Sequence, residues 1–111
     1  MNDITLPPLL ARHFRAAEDH DWAALVDCFD ERAVVVDDSR IHVGREAIRA
    51  WREEDAGTWT YTSTLTLAEP VGLTGHHVVV HLEGDFPGGV VDLHYQFTVA
   101  GDLIRSLTIA P

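Results

Sequence analysis

The sequence predicts a single α+β domain in which helices come first and a curved antiparallel sheet then wraps around them. Three observations carry this. The chain has 111 residues, of which 46% are hydrophobic, enough to bury one core and too few for a second domain. Apolar residues recur at three- and four-residue spacing up to Gly57, then alternate with polar ones from Trp59 onward. The alternating half is cut by Gly- and Pro-bearing turns into four successive strands.

Pro7 and Pro8 suit the first turn of a helix, and Leu6, Leu10, His13, Phe14 and Ala17 then define one apolar face, giving a helix over about 7 to 19. Asp21 can cap a second helix with Trp22, Leu25, Val26 and Phe29 on its apolar side. Val34, Val35 and Val36 are β-branched and bounded by charged residues, so they read as a strand that ends in two acids, Asp37 and Asp38. After a loop, Gly44 opens a third helix with Ala47, Ile48 and Trp51 on its inner face and Arg45, Glu46, Arg49, Glu53 and Glu54 around the other, and Gly57 ends it.

Four strands remain. Trp59, Tyr61, Ser63, Leu65 and Leu67 alternate with four threonines; Val78, Val80 and Leu82 alternate with His77, Val79 and His81. Leu93, Tyr95, Phe97 and Val99 alternate with Asp92, His94, Gln96 and Thr98, and Ala100-Gly101 turns into a last strand over Leu103 to Ile109. The large apolar side chains share one face, which should pack on the helices. The opposite face carries Thr, His, Asp and Gln with Val79 among them. That composition fits a wet interface better than a fully solvated surface, so a homodimer through the outer sheet face is expected.

The formal net charge of −10 and the absence of a basic stripe speak against nucleic acid. No apolar run approaches the roughly 18 residues of a membrane span, and MNDITLPPLL lacks the basic start and long apolar stretch of a secretory signal. The expected location is cytoplasmic, with no membrane partner. Cys28 is the only cysteine, which excludes an internal disulfide and a cysteine-cluster zinc site. Its spacing from Leu25 and Phe29 reads as a buried, inert thiol rather than a nucleophile. Seven histidines raise the question of a metal, but none of them pairs at a ligand spacing beside an acid triad, so no metal or cofactor is expected.

The order helix, helix, short acid-ended strand, helix and four long strands, with FDERAVVVDD, HVGREAIRAW and YQFTVAGDLIRSL in place, resembles the SnoaL-like branch of the NTF2-like superfamily. The likeness runs from Leu9 to Ile109, and its most specific part is Gly44, Ala47, Ile48 and Trp51 in a G-x-x-A-I-x-x-W element. These are mostly packing residues. The resemblance implies an NTF2-like cone, a cystatin-like α+β barrel open at one end, with a pocket between the first helix and the concave sheet. Ketosteroid isomerases, polyketide cyclases, dehydratases, epoxide hydrolases and non-catalytic binding domains share that fold, so the family alone leaves function open. Laid on ketosteroid isomerase without a gap from Arg12 to Asp37, the catalytic base falls on Asp37, the oxyanion-hole tyrosine on His13, and the second acid on Leu93. One role is kept, one passes to another donor and one is lost.

Asp37 and His13 are accordingly the candidate catalytic residues. A carboxylate facing an apolar pocket has its charged form disfavoured and can shuttle protons; alternatively Asp37 or Asp38 only ends a strand, and of two successive acids one can face inward. His13 could donate to an oxyanion or pair with Asp37, or be a core histidine with a satisfied ring nitrogen. Trp51, Trp59, Tyr61, Tyr95 and Phe97, with His42 at the mouth, are candidate substrate-binding residues that could equally be core or, for His42, a solvated loop residue. The expected ligand is a hydrophobic or polycyclic small molecule, acted on by cofactor-free isomerisation, cyclisation or dehydration. The other reading is a ligand-binding or dimerisation domain without chemistry.

Overall fold

The computed structural model describes residues 4–111. Helix α1 (Pro8–Glu18) starts with Pro at its first position, where the missing N–H would have no intrahelical acceptor. The second helix, α2 (Trp22–Asp27), is capped by Asp21, whose Oδ1 accepts from the Ala24 N–H at 3.1 Å. Strand β1 (Phe29–Asp37) leads through Asp38 and Ser39, both at positive φ (52° and 62°), into β2 (Arg40–Val43). Two successive left-handed residues are what a tight two-residue hairpin needs. The segment expected as a loop is thus a strand, paired Asp37 to Arg40 and Val34 to Val43.

Gly44 then adopts φ 86°, ψ 161°, a region open essentially to glycine, and turns the chain into α3 (Arg45–Ala56). Its N–H donates to the Ala33 carbonyl at 2.9 Å, which fixes α3 against β1. Strands β3 (Tyr61–Val71), β4 (Gly75–Gly84), β5 (Val90–Ala100) and β6 (Leu103–Ala110) follow as a meander.

One six-stranded sheet forms in the order β2-β1-β6-β5-β4-β3. Its pairings are antiparallel except β1 with β6, which run parallel, so the sheet is mixed rather than wholly antiparallel. The last strand thereby closes beside the first, carrying the acid-bearing end of β1 to the sheet's concave side.

The core lies between that concave face and the helices. Leu10, Leu25, Phe29, Val35, Ile48, Val78, Ile104 and Leu107 are fully buried there. A register shift between Leu65 and Leu67 reverses the phase of β3 beyond it, so Ala68 packs on the core and Leu67 faces out. Strict alternation had put Leu67 inside. No helix among the described residues is long and apolar enough to cross a membrane.

Candidate functional site

A partly open cavity of about 750 Å³ lies between α1, α3 and the concave face of β3, β4 and β5. Leu65, Val80, Leu82, Val91, Leu93 and Ile109 line the sheet side, and Ala11, Phe14 and Ala17 the α1 side. Both sets follow from the alternation and the helical spacing of the sequence.

One acid enters this cavity from β1. Ala33 and Val35 are fully buried, and Asp37 continues their phase to the cavity wall, whereas Asp38 is an exposed turn residue. The Asp37 Oδ2 accepts a hydrogen bond from the Trp51 indole N–H at 3.0 Å. That indole is itself backed by the His42 ring, stacked at 5.5 Å and 25°. His42 supports Trp51 from behind and is not part of the cavity wall; its Nε2 is buried without a partner.

Around Asp37 stand groups from three other elements. Tyr95 of β5 and Tyr61 of β3 line the cavity, and burial pushes the Tyr95 phenol up to about 12, with the Arg52 charge partly opposing it. Trp59 sits at the rim, 44% exposed. Helix α3 contributes Arg52 and Asp55 as well as Trp51. Burial raises the Asp55 carboxyl above its ordinary range; Arg52 opposes this and Asp37 adds to it. Arg52 lies between two indoles, 5.1 Å from the Trp51 ring and 5.7 Å from that of Trp22.

Arg52 and Asp55 are the functional candidates that sequence reasoning missed. With Ile48 and Trp51 they fall at three-, four- and seven-residue spacing, the signature of one helix face. Their charge argued for the solvent side, and the cavity gives them a third environment. His20, stacked on Trp22 at 5.1 Å, also lines the cavity and was not anticipated.

His13 lies in the core, the second of its two readings, but with its Nδ1 left unsatisfied. It is 3% exposed and meets Phe14, Phe29 and Phe97 edge-on at 4.8, 5.7 and 5.3 Å. Burial first, and then the Arg52 charge, lower its pKa to about 3, so the ring is neutral at physiological pH. No hydrogen bond joins it to Asp37, and its Nδ1 has no partner, so the expected acid–base pair is not formed. The neighbouring residue, Phe14, lines the cavity, with Ala11, Arg15, Ala17 and Glu18 of the same helix, while His13 does not. Phe97 is 2% exposed and is core beneath the cavity rather than wall. Cys28 is buried, its pKa raised chiefly by that burial, in keeping with an inert thiol. No cluster of three metal-ligating side chains occurs among the described residues.

The arrangement can hold an apolar molecule against aliphatic walls while presenting the carboxylates of Asp37 and Asp55, the Arg52 guanidinium and two phenols at its polar part. Comparison with known proteins agrees with this fold. A sequence model of the SnoaL-like domain matches residues 7–103. A structure from Sinorhizobium meliloti, described as a candidate polyketide cyclase, superposes with a TM-score of 0.89 at 30% identity, covering 95% of each chain. A protein of ketosteroid isomerase-like fold from Catenulispora acidiphila, in complex with trimethylamine, is 20% identical with a TM-score of 0.83 over 96% of this chain and 87% of its own. A Mycobacterium tuberculosis protein in complex with estradiol-17β-hemisuccinate is 17% identical with a TM-score of 0.77 over 93% and 90%. The latter two likenesses concern the fold alone. No curated protein matches the chain.

Proposed function

The chain belongs to the SnoaL-like domain family, and from that premise we propose that it binds a hydrophobic or polycyclic small molecule in the cavity and moves a proton on it without a cofactor. Asp37 is the base that takes a proton from carbon, the step isomerisation, aldol-type cyclisation and dehydration share; the proton then goes to another carbon in isomerisation, to the newly formed alkoxide in aldol cyclisation, and to the departing hydroxyl, which leaves as water, in dehydration. The observation that carries this reading is the Asp37 carboxylate at the cavity wall, held through one oxygen by the Trp51 N–H. Its other oxygen accepts no hydrogen bond among the described residues. A base oriented through one oxygen and open at the other is suited to attack a C–H bond of a bound ligand. Tyr61 and Tyr95 are the hydroxyl donors nearest in role to an oxyanion hole; Leu93 supplies none.

We place the protein in the cytoplasm as a homodimer through the outer sheet face. On that face His77 hydrogen-bonds His94 at 2.8 Å and Glu69 at 3.2 Å, and His81 bridges Asp92 and Glu83 at 2.7 and 2.8 Å. Polar groups satisfied within one subunit can be covered by another without stranding donors. Sedimentation of the wild type at twice the monomer mass supports this, and a monomer contradicts it.

A second reading, ligand binding without chemistry, is favoured by one observation: the neutral His13 is packed among phenylalanines rather than against Asp37. The two readings separate in heavy water. Apolar ketones that quench the tryptophan fluorescence of the protein are screened for enzyme-dependent deuterium uptake at the carbon beside the carbonyl. Uptake that disappears in Asp37→Asn while quenching persists supports proton transfer. Quenching without uptake leaves binding alone.

A further inference from the structure

Arg52 is a largely buried cation whose Nε has no hydrogen-bond partner. Its side chain is 11% exposed, yet no guanidinium N–H donates a hydrogen bond to any acceptor among the described residues. The nearest acid, Asp55, stands 3.6 Å from Nη1, an ion pair too long to be a hydrogen bond, and Nε is buried without a partner. A guanidinium carries five donors in a rigid fork, and leaving them unmet away from water is costly. The two indoles stabilise the charge through their faces but accept no conventional hydrogen bonds. The result is a cation with open donors in a cavity wall that also carries Arg15, Glu18, Asp37 and Asp55 beside the aliphatic side chains of the sheet.

We infer that Arg52 anchors the ligand, and that the ligand is an apolar carboxylic acid whose two carboxylate oxygens meet the guanidinium fork while its hydrocarbon body lies on Leu65, Val80, Leu82 and Leu93. A planar fork matches a carboxylate in a way an ammonium does not. Asp55 competes for it through one contact only, the 3.6 Å ion pair, and from a half-exposed side chain. The faces of Trp22 and Trp51, 5.7 and 5.1 Å away, favour the charge staying where it is when no ligand is bound. This inference rests on the cavity being the ligand site and adds the chemical class of the ligand.

The test compares shape-matched pairs that differ in charge: naphthoate with naphthamide, and pyrenecarboxylate with pyrenecarboxamide, by fluorescence titration of the wild-type protein. The acids bind at least about tenfold tighter than the amides, the loss of a charge-assisted pair being worth a decade or more in affinity. Arg52→Gln abolishes that preference, and Arg52→Lys, which keeps charge but not the fork, restores only part of it. Equal binding of acid and amide by the wild type overturns this inference and leaves the cavity reading standing. An unchanged preference in a folded Arg52→Gln protein also overturns it. Binding by none of the four compounds overturns the cavity reading itself, and this inference with it.

Discussion

The indole N–H of Trp51 donates to Oδ2 of Asp37 across 3.0 Å, joining the third helix to the end of the first strand. A hydrogen bond to a charged acceptor in a partly buried setting contributes about 1.5–3 kcal/mol. Trp51→Phe and Asp37→Ala should each lower the unfolding free energy, and the double variant should lose less than the two losses combined. Chemical denaturation of the four proteins gives the coupling, expected at about 1–3 kcal/mol. Strict additivity would show that the bond contributes nothing.

Gly44 sits at φ 86°, ψ 161°, where a side chain is strained whatever the room around it. Gly44→Ala should therefore destabilise the protein by about 1–3 kcal/mol. An added Cβ would lie 3.5 Å from the Glu31 carbonyl oxygen, ordinary contact, so the loss would come from the backbone and not from a clash. A midpoint of urea unfolding equal to that of the wild type would contradict this.

His13 makes stability fall in acid. In the unfolded chain it takes up a proton below about pH 6.5, whereas the folded protein resists protonation down to about 3. Its contribution is thus complete above about pH 6.5 and shrinks as the pH falls from there, with a slope of up to about 1.4 kcal/mol per pH unit. Between about pH 7.5 and pH 5 the wild type should lose roughly 2 kcal/mol more than His13→Phe. Parallel pH profiles for the two proteins would place His13 in contact with water.

These residues show which parts of the molecule local sequence can reveal. Alternation allowed only one of Asp37 and Asp38 to face inward without choosing between them, and helical spacing put His13 on the apolar face of α1, because both patterns are set by backbone period. The side of α1 that meets the cavity depends on Phe29 and Phe97, residues brought to His13 from other elements, and no local pattern encodes that. The four residues of β2 are too few for alternation to declare a strand, and its turn, Asp38-Ser39, lacks the usual glycine. The parallel pairing of β1 with β6 joins the two ends of the chain and has no local signal. Arg52 and Asp55 were visible in spacing but hidden by their charge, since a charged residue on a helix ordinarily faces water.

Asp37 as a base in the cavity is the central feature of this protein's proposed chemistry. The most direct measurement is the rate of solvent-deuterium incorporation beside the carbonyl of a bound apolar ketone, in the wild type and in Asp37→Asn. A positioned general base contributes about a hundredfold to ten-thousandfold, so the rate should drop by at least about a hundredfold while the ligand's dissociation constant stays within a few-fold. Equal rates in the two proteins would contradict the account.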